Sequence, residues 1–357
     1  MPSLDAERLR ETTIPLSTGW LLAACTEAKG KQDLWMRQKP EVLEALREQA
    51  IVQSAESSNR IEGVTVERDR LRPLVLGHAK PRDRSEEEVA GYRKAIDWVF
   101  TRRRRVTIDP RVIQHLHALA QGGMSADAGR WKRKDNEIIE ILASGDRRIR
   151  FKPTSAKETP KAIMQLCRNY LAACDGEKIP ALLVIATFVF DLLCVHPFRD
   201  GNGRVSRLVT TLLLLEHGFE VVRYVSLERL VEESKAEYYP VLQGCSAGWH
   251  SDKNEIVPWW NYFLGIVRRA YQEFATQVQS AAPRAAKGDL VRQAIAAQVG
   301  PFVLADLRGQ LPTVSPQLVK KVLAEMKRAG KVRVIGRGRG ATWEQIERDR
   351  EPRDGPK

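Results

Sequence analysis

At 357 residues the chain exceeds one ordinary domain and implies two or three units, each able to bury its own core. With 43% apolar and 29% charged residues, collagen-like, low-complexity and wholly disordered classes are excluded. Lys and Arg outnumber Asp and Glu by 58 to 45, a formal +13 that favours a polyanionic partner, either nucleic acid or nucleotide.

The opening MPSLDAERLRETT has acidic residues and no apolar stretch, so it reads as neither a secretory signal nor an Arg-rich transit peptide. The cytoplasm is the expected location. The longest apolar run, Ala181 to Val195, carries Asp191 and is too short and too polar for a bilayer span; it predicts a core helix. Five cysteines (Cys25, Cys167, Cys174, Cys194, Cys245) are odd in number and scattered through helical patterns, which predicts reduced core thiols rather than disulfides or zinc ligands.

Residues 1–84 read as an N-terminal helical region. Leu43 to Asn59 shows helical apolar spacing and Gly63 is a terminator, so Ser58 and Glu62, four apart, share a face. Alone, such a pair usually marks a solvated surface. Ser85-Glu86-Glu87-Glu88 has the form of a capping box opening a helix to Phe100, and Asp109-Pro110 and Thr159-Pro160 each place a cap before a proline. Gly122-Gly123 and Gly218 supply helix stops. Glu137 to Leu142, a Ser144-Gly145-Asp146 turn and Arg147 to Lys152 predict a β-hairpin over Asn136 to Arg150. A lone hairpin in a helical domain needs a cover, and substrate backbone is one candidate. The basic runs Arg102 to Arg105 and Arg130 to Lys134 fit a solvated face better than a nucleic-acid site.

A core over 85–279 is followed by SAAPRAAKG, residues 280–288, which loses periodicity and predicts a linker. Residues 289–346 then run through three short helices (289–298, 304–310 and 315–329), a strand at 331–335, a GRGRG turn and a strand at 341–345. That is the order of a winged helix-turn-helix. Asp289 to Gln345 holds ten Lys or Arg against four Asp or Glu, a net of +6, the footprint expected for a DNA backbone; a basic protein-interaction module is the alternative. The charged tail, 347–357, is expected to be disordered.

The most informative segment is HPFRDGNGRVSR, His196 to Arg207, between two apolar helical stretches. Pro197 pushes His196 out of the α region and ends the first helix. Gly201 and Gly203 flank Asn202 just before the second, the composition needed where backbone N–H groups approach an anion at a helix N-terminus. Arg204 and Arg207, three apart, can fork onto further phosphate oxygens. Asp200 is placed to hold Mg²⁺ beside phosphates, and His196 can take a proton from a hydroxyl near neutral pH. Phe198 reads as an apolar plug anchoring the loop. The parts describe nucleotidyl or phosphoryl transfer to a hydroxyl.

HPFRDGNGRVSR resembles the signature of the Fic (filamentation induced by cAMP) domain family, HxFx(D/E)GNGRxxR, at every constrained position. The resemblance implies a mainly α fold, a helical core with a β-hairpin flap, here with a C-terminal winged helix as companion. It implies transfer of AMP from ATP to a Ser, Thr or Tyr hydroxyl of a protein, self-modification included. By the same resemblance His196 is the base and Asp200 the Mg²⁺ ligand. Gly201, Asn202 and Gly203 form the anion hole, with Asn202 toward the α-phosphate, and Arg204 and Arg207 contact the β- and γ-phosphates. Tyr239 and Leu242 wall the adenine, and the hairpin clamps the target backbone. Beside that signature, SSNRIEG resembles the family's inhibitory helix, spanning about 40–63. Ser58, Glu62 and Gly63 match its motif, and Glu62 is expected to pair with Arg207 and take the γ-phosphate's place. Two other readings stay open: removal of AMP at the same site, and an ATP-sensing regulator whose winged helix binds DNA. The target protein and the oligomeric state, a homodimer included, are not legible.

Overall fold

The computed structural model describes residues 3–37, 40–101, 106–122, 125–141, 147–175, 179–298, 300–311, 314–336 and 341–346. The run Arg102 to Arg105, Gly123, the hairpin tip Ser144-Gly145-Asp146, the glycine-rich turn at 337–340 and the tail 347–357 lie outside the described residues. The chain divides into two units, Met1–Ala275 and Thr276–Lys357.

The first unit contains helices α1 (Ala6–Glu11), α2 (Leu16–Met36), α3 (Pro40–Ile61), α4 (Arg68–Val75), α5 (Arg84–Thr101) and α6 (Pro110–Ala120). A hairpin follows, β1 (Ile138–Ile141) and β2 (Arg147–Phe151), then α7 (Thr159–Cys174), α8 (Ala181–Val195), α9 (Asn202–Glu216), α10 (Leu227–Glu233) and α11 (Lys235–Ser246). The first part of α12 (Val257–Ala296) completes it. Helix α8 is buried from Leu182 to Val195, as an all-round apolar helix must be, and packs on α7 and α9. Its one carboxylate, Asp191, accepts from Trp249 Nε1 (2.7 Å) and the Leu4 N–H (2.8 Å), so the charge in the apolar run fastens the N-terminal segment to the core. Indole N–H groups of α12 reach the same helix: Trp259 donates to Ala186 O and Trp260 to Thr187 Oγ1.

Two helix starts differ from the sequence expectation. The α5 cap is Asp83, whose carboxylate accepts from the Glu86 N–H (2.8 Å), because Glu86 and Glu88 are drawn inward to Arg70 and Arg204 instead of serving a box at Ser85. Thr159 lies within α7 and donates its hydroxyl to Ser155 O (2.8 Å). The Asp109 cap is as expected, accepting from the Val112 N–H (2.7 Å). Residues 280–288, expected as a linker, continue α12, and the division falls at 275/276. Four alanines favour continuation there, while Pro283 and Gly288 oppose it.

In the second unit the end of α12 is followed by β3 (Phe302–Val303), α13 (Leu304–Gln310), α14 (Pro316–Arg328), β4 (Val332–Ile335) and β5 (Thr342–Gln345). The strands form an antiparallel sheet in the order β3-β5-β4. Val291, Ile295, Phe302, Leu307, Val319 and Leu323 share its core. Gln345 Nε2 donates to Ile295 O and Gln298 O, closing the C-terminal end of α12. Strand β3 has only two residues, too few to show a period in sequence. No helix among the described residues is long and apolar enough to cross a membrane.

Candidate active site

Helix α8 ends at His196, which adopts the left-handed region (φ 50°, ψ 61°), and Gly201 (φ 76°) turns the chain into α9. A residue with a Cβ keeps that conformation only where its surroundings hold it. Asn202 closes the turn on itself: its Oδ1 accepts from the Phe198 N–H and its Nδ2 donates to Phe198 O, both at 2.9 Å. Phe198 is fully buried, stacked on His117 at 3.8 Å and packed against Trp131, so the apolar plug is as expected. The Asn202 amide is thus engaged within the turn rather than held out toward a phosphate.

His196 Nδ1 lies 3.3 Å from Leu193 O. A carbonyl only accepts, so Nδ1 carries the proton and Nε2 keeps its lone pair. Burial lowers the imidazole to about 4; Lys132 also lowers it, while the Leu193 bond, Glu62 and Asp200 oppose the shift. The ring is therefore neutral at pH 7 and able to accept a proton.

The first N–H groups of α9 have no partner within the helix and point from its positive end. Asp200, whose side chain is 63% exposed, accepts from the Gly201 N–H (2.6 Å). No cluster of three or more His, Cys, Asp or Glu able to hold a metal occurs among the described residues. A lone open carboxylate fits Mg²⁺ held mainly by water and phosphate.

The two arginines part company. Arg204 is 1% exposed; its NH1 meets Glu88 Oε2 at 2.6 Å and Asn59 Oδ1 at 3.3 Å, and its Nε has no hydrogen-bond partner. It is an interior charge matched by α5. Removing one partner of a buried pair typically costs about 3–5 kcal/mol. Glu88→Ala should therefore lower the denaturant midpoint sharply, whereas Arg84→Ala, which frees only an exposed partner of Glu88, should not.

Arg207 faces the cavity and is held by α3. Its Nε donates to Ser58 Oγ (2.8 Å), and its NH2 donates to Ser58 O (2.9 Å) and Glu62 Oε1 (2.8 Å). Burial works against this guanidinium, but the Glu62 carboxylate together with Tyr92 and Tyr238 leaves the group above its ordinary value. The placement of Glu62 follows from the end of α3. Gly63 (φ 82°) donates to Arg60 O and Val64 to Asn59 O, the two bonds of a Schellman motif, so Glu62 is the C-cap residue. Beyond its apolar positions, α3 buries Ala50, Ser54, Ala55, Ser57, Ser58 and Asn59, a small and polar surface that the apolar period does not reveal. Glu62 Oε1 occupies the space where Gly203 lacks a side chain; a Cβ there would overlap it.

A cavity of about 210 Å³ opens here, lined by Glu62, His196, Gly203, Arg207, Tyr239 and Leu242. Tyr239 and Leu242, expected to wall an adenine, are among that lining, and α11 runs through Pro240. Arg150 also lines the cavity and was not singled out by sequence. The hairpin register slips between Ile138 and Ile139, leaving Arg150 as the extra residue of a bulge. Bulges re-aim side chains, and this one sends the guanidinium to Tyr239 O and over the Tyr239 ring (5.4 Å). Lys132 and Asn136, which touch the turn from behind, were also missed. The signal of Lys132 was hidden within the basic run Arg130 to Lys134, where it is in fact buried.

Residues 107–214 match the family model described as the Fic/DOC family. Over these residues the chain is similar to the Fic/DOC family. Two solved structures share the fold: a Fic family protein from Desulfovibrio desulfuricans G20 has a TM-score of 0.60 at 20% identity, covering 95% of this chain and 99% of that one. A Fic domain containing signaling protein from Bacteroides thetaiotaomicron VPI-5482 has a TM-score of 0.60 at 19% identity, covering 72% of this chain and 98% of its own. Among curated relatives, "Protein adenylyltransferase Fic" of Nematostella vectensis is 25% identical over 215 residues, 56% of this chain and 44% of that protein. "Protein adenylyltransferase fic-1" of Caenorhabditis elegans is 32% identical over 102 residues, 28% of this chain and 18% of that protein. The chain spans less than half the length of the curated relatives it matches. His196, Asp200, Gly201, Asn202, Gly203, Arg204 and Arg207 fall inside the Fic match, while Ser58, Glu62 and Gly63, and Tyr239 and Leu242, bring the opposite walls from outside it.

Proposed function

We propose that this chain is a protein adenylyltransferase held in check by its own α3. The observation that carries the reading is convergence on one cavity of a neutral His196 with Nε2 free, the N-terminus of α9 and the Arg207 guanidinium, with Glu62 seated on that guanidinium. The names of the curated relatives support it. ATP would lie with its triphosphate over the start of α9 and its adenine toward Tyr239 and Leu242. His196 Nε2 takes the proton of a Ser, Thr or Tyr hydroxyl, the oxygen bonds to the α-phosphorus, and the bond to pyrophosphate breaks. Mg²⁺ on Asp200, when bound, would neutralise phosphate charge. Arg207 would bind the γ-phosphate once Glu62 leaves, so ATP meets a competitor for one cation. Labelled ATP incubated with the Glu62→Gly protein and a cell lysate tests this: AMP on protein supports the reading, and nucleotide bound without transfer refutes it.

We further propose that the second unit is a winged helix that contacts DNA. Its strand and helix order and its net +6 support this, as do Lys320, Lys321, Lys327 and Arg328 of α14, Lys331 just before β4 and Arg333 within it, all exposed. Lys320→Ala with Lys321→Ala should weaken binding of full-length protein to duplex DNA by a similar factor on every sequence and flatten the salt dependence. Unchanged binding and slope would favour a protein-interaction module.

A further inference from the structure

The stretch just before the hairpin holds the turn that carries His196. The Lys132 N–H donates to Pro197 O (2.9 Å), and its ammonium donates to Val195 O (3.2 Å) and Asn136 Oδ1 (2.8 Å). Asn136 Nδ2 donates to Phe198 O (3.1 Å). The carbonyls on both sides of His196, and the next one along, thus end on the same five residues. Val195 O belongs to the last turn of α8, whose carbonyls lack helical donors. Lys132 is 5% exposed, although lysine is among the residues least often buried. Asn136 stands two residues before Ile138, where β1 begins, so the catalytic turn and the base of the hairpin share one set of ties.

A general base works only within hydrogen-bond reach of its proton, and a displacement of about 1 Å can cost a hundredfold. An acceptor chain carried by the hairpin therefore meets the imidazole only if hairpin and turn keep a fixed spacing. We propose that Lys132 and Asn136 are positioning residues that fix the His196 turn against the base of the hairpin, an inference resting on the adenylyltransferase reading. Neither touches the cavity; both act through the carbonyls around His196.

The test places Lys132→Met, Lys132→Arg and Asn136→Ala in the Glu62→Gly full-length protein. AMP transfer to protein should fall about tenfold or more in kcat for the Met and Ala variants, with KM for ATP within about twofold of the parent. Arginine, which keeps several donors, should restore most of the rate. Hydrogen exchange of the peptide spanning 195–203 should quicken in the Met and Ala variants but not with arginine. Unchanged kcat and exchange would overturn the proposal, as would an arginine variant no better than methionine. If the Glu62→Gly parent transfers no AMP, the adenylyltransferase reading fails; exchange still decides the positioning role, quickened exchange upholding it and unchanged exchange overturning it.

Discussion

Glu62→Gly should raise ATP-dependent AMP labelling, self-labelling included, by about two orders of magnitude over the wild type. The carboxylate lies 2.8 Å from Arg207 NH2, with Arg207 9% and Glu62 29% exposed. At an effective dielectric near 20, a pair about 4 Å apart attracts by about 4 kcal/mol, and desolvation leaves less. A net of about 3 kcal/mol keeps the released form below about 1%, which sets the size of the gain on deletion. Glu62→Gln, which keeps the shape but lowers the charge, should fall between. Quantified AMP incorporation measures all three, and a glycine variant no more active than the wild type would remove the inhibitory role while leaving the catalytic one standing.

His196→Ala should abolish transfer in either background, since among the described residues no other side chain lining the cavity pairs a free ring nitrogen with the start of α9. The pH dependence is equally specific. A base acts unprotonated, so kcat/KM falls as pH drops through its free-enzyme pKa. With His196 lowered to about 4 by burial, kcat/KM for the Glu62→Gly protein should hold from pH 7 to about 5 and decline only near 4. An ordinary histidine would already lose activity near 6.5. Loss centred at 6 or above would show that the imidazole is solvated during catalysis. Retained transfer in His196→Ala would exclude it as the base.

Much of this was legible in sequence because a few features act locally. His196-Pro197, the paired glycines and the two arginines are contiguous, so their shared site needs no knowledge of the fold. The hairpin and the helix ends at Asp109 and Gly63 follow from turn and cap chemistry. What stayed hidden depends on partners far along the chain. Arg204 and Arg207 look equivalent three apart, yet Glu88 draws one inside while α3 holds the other at the cavity. Arg150 reaches the site only through a bulge, and Lys132 only because the basic run around it folds inward.

Glu62 seats its carboxylate where Gly203 leaves bare backbone, which on the proposed reading is the space a phosphate of ATP would need. On that reading lock and donor share one space, and a side chain added at position 203 would crowd the Glu62 carboxylate and the Arg207 guanidinium together. On the proposed reading, activating substitutions should cluster around 58–64, where the end of α3 and its glycine cap place Glu62.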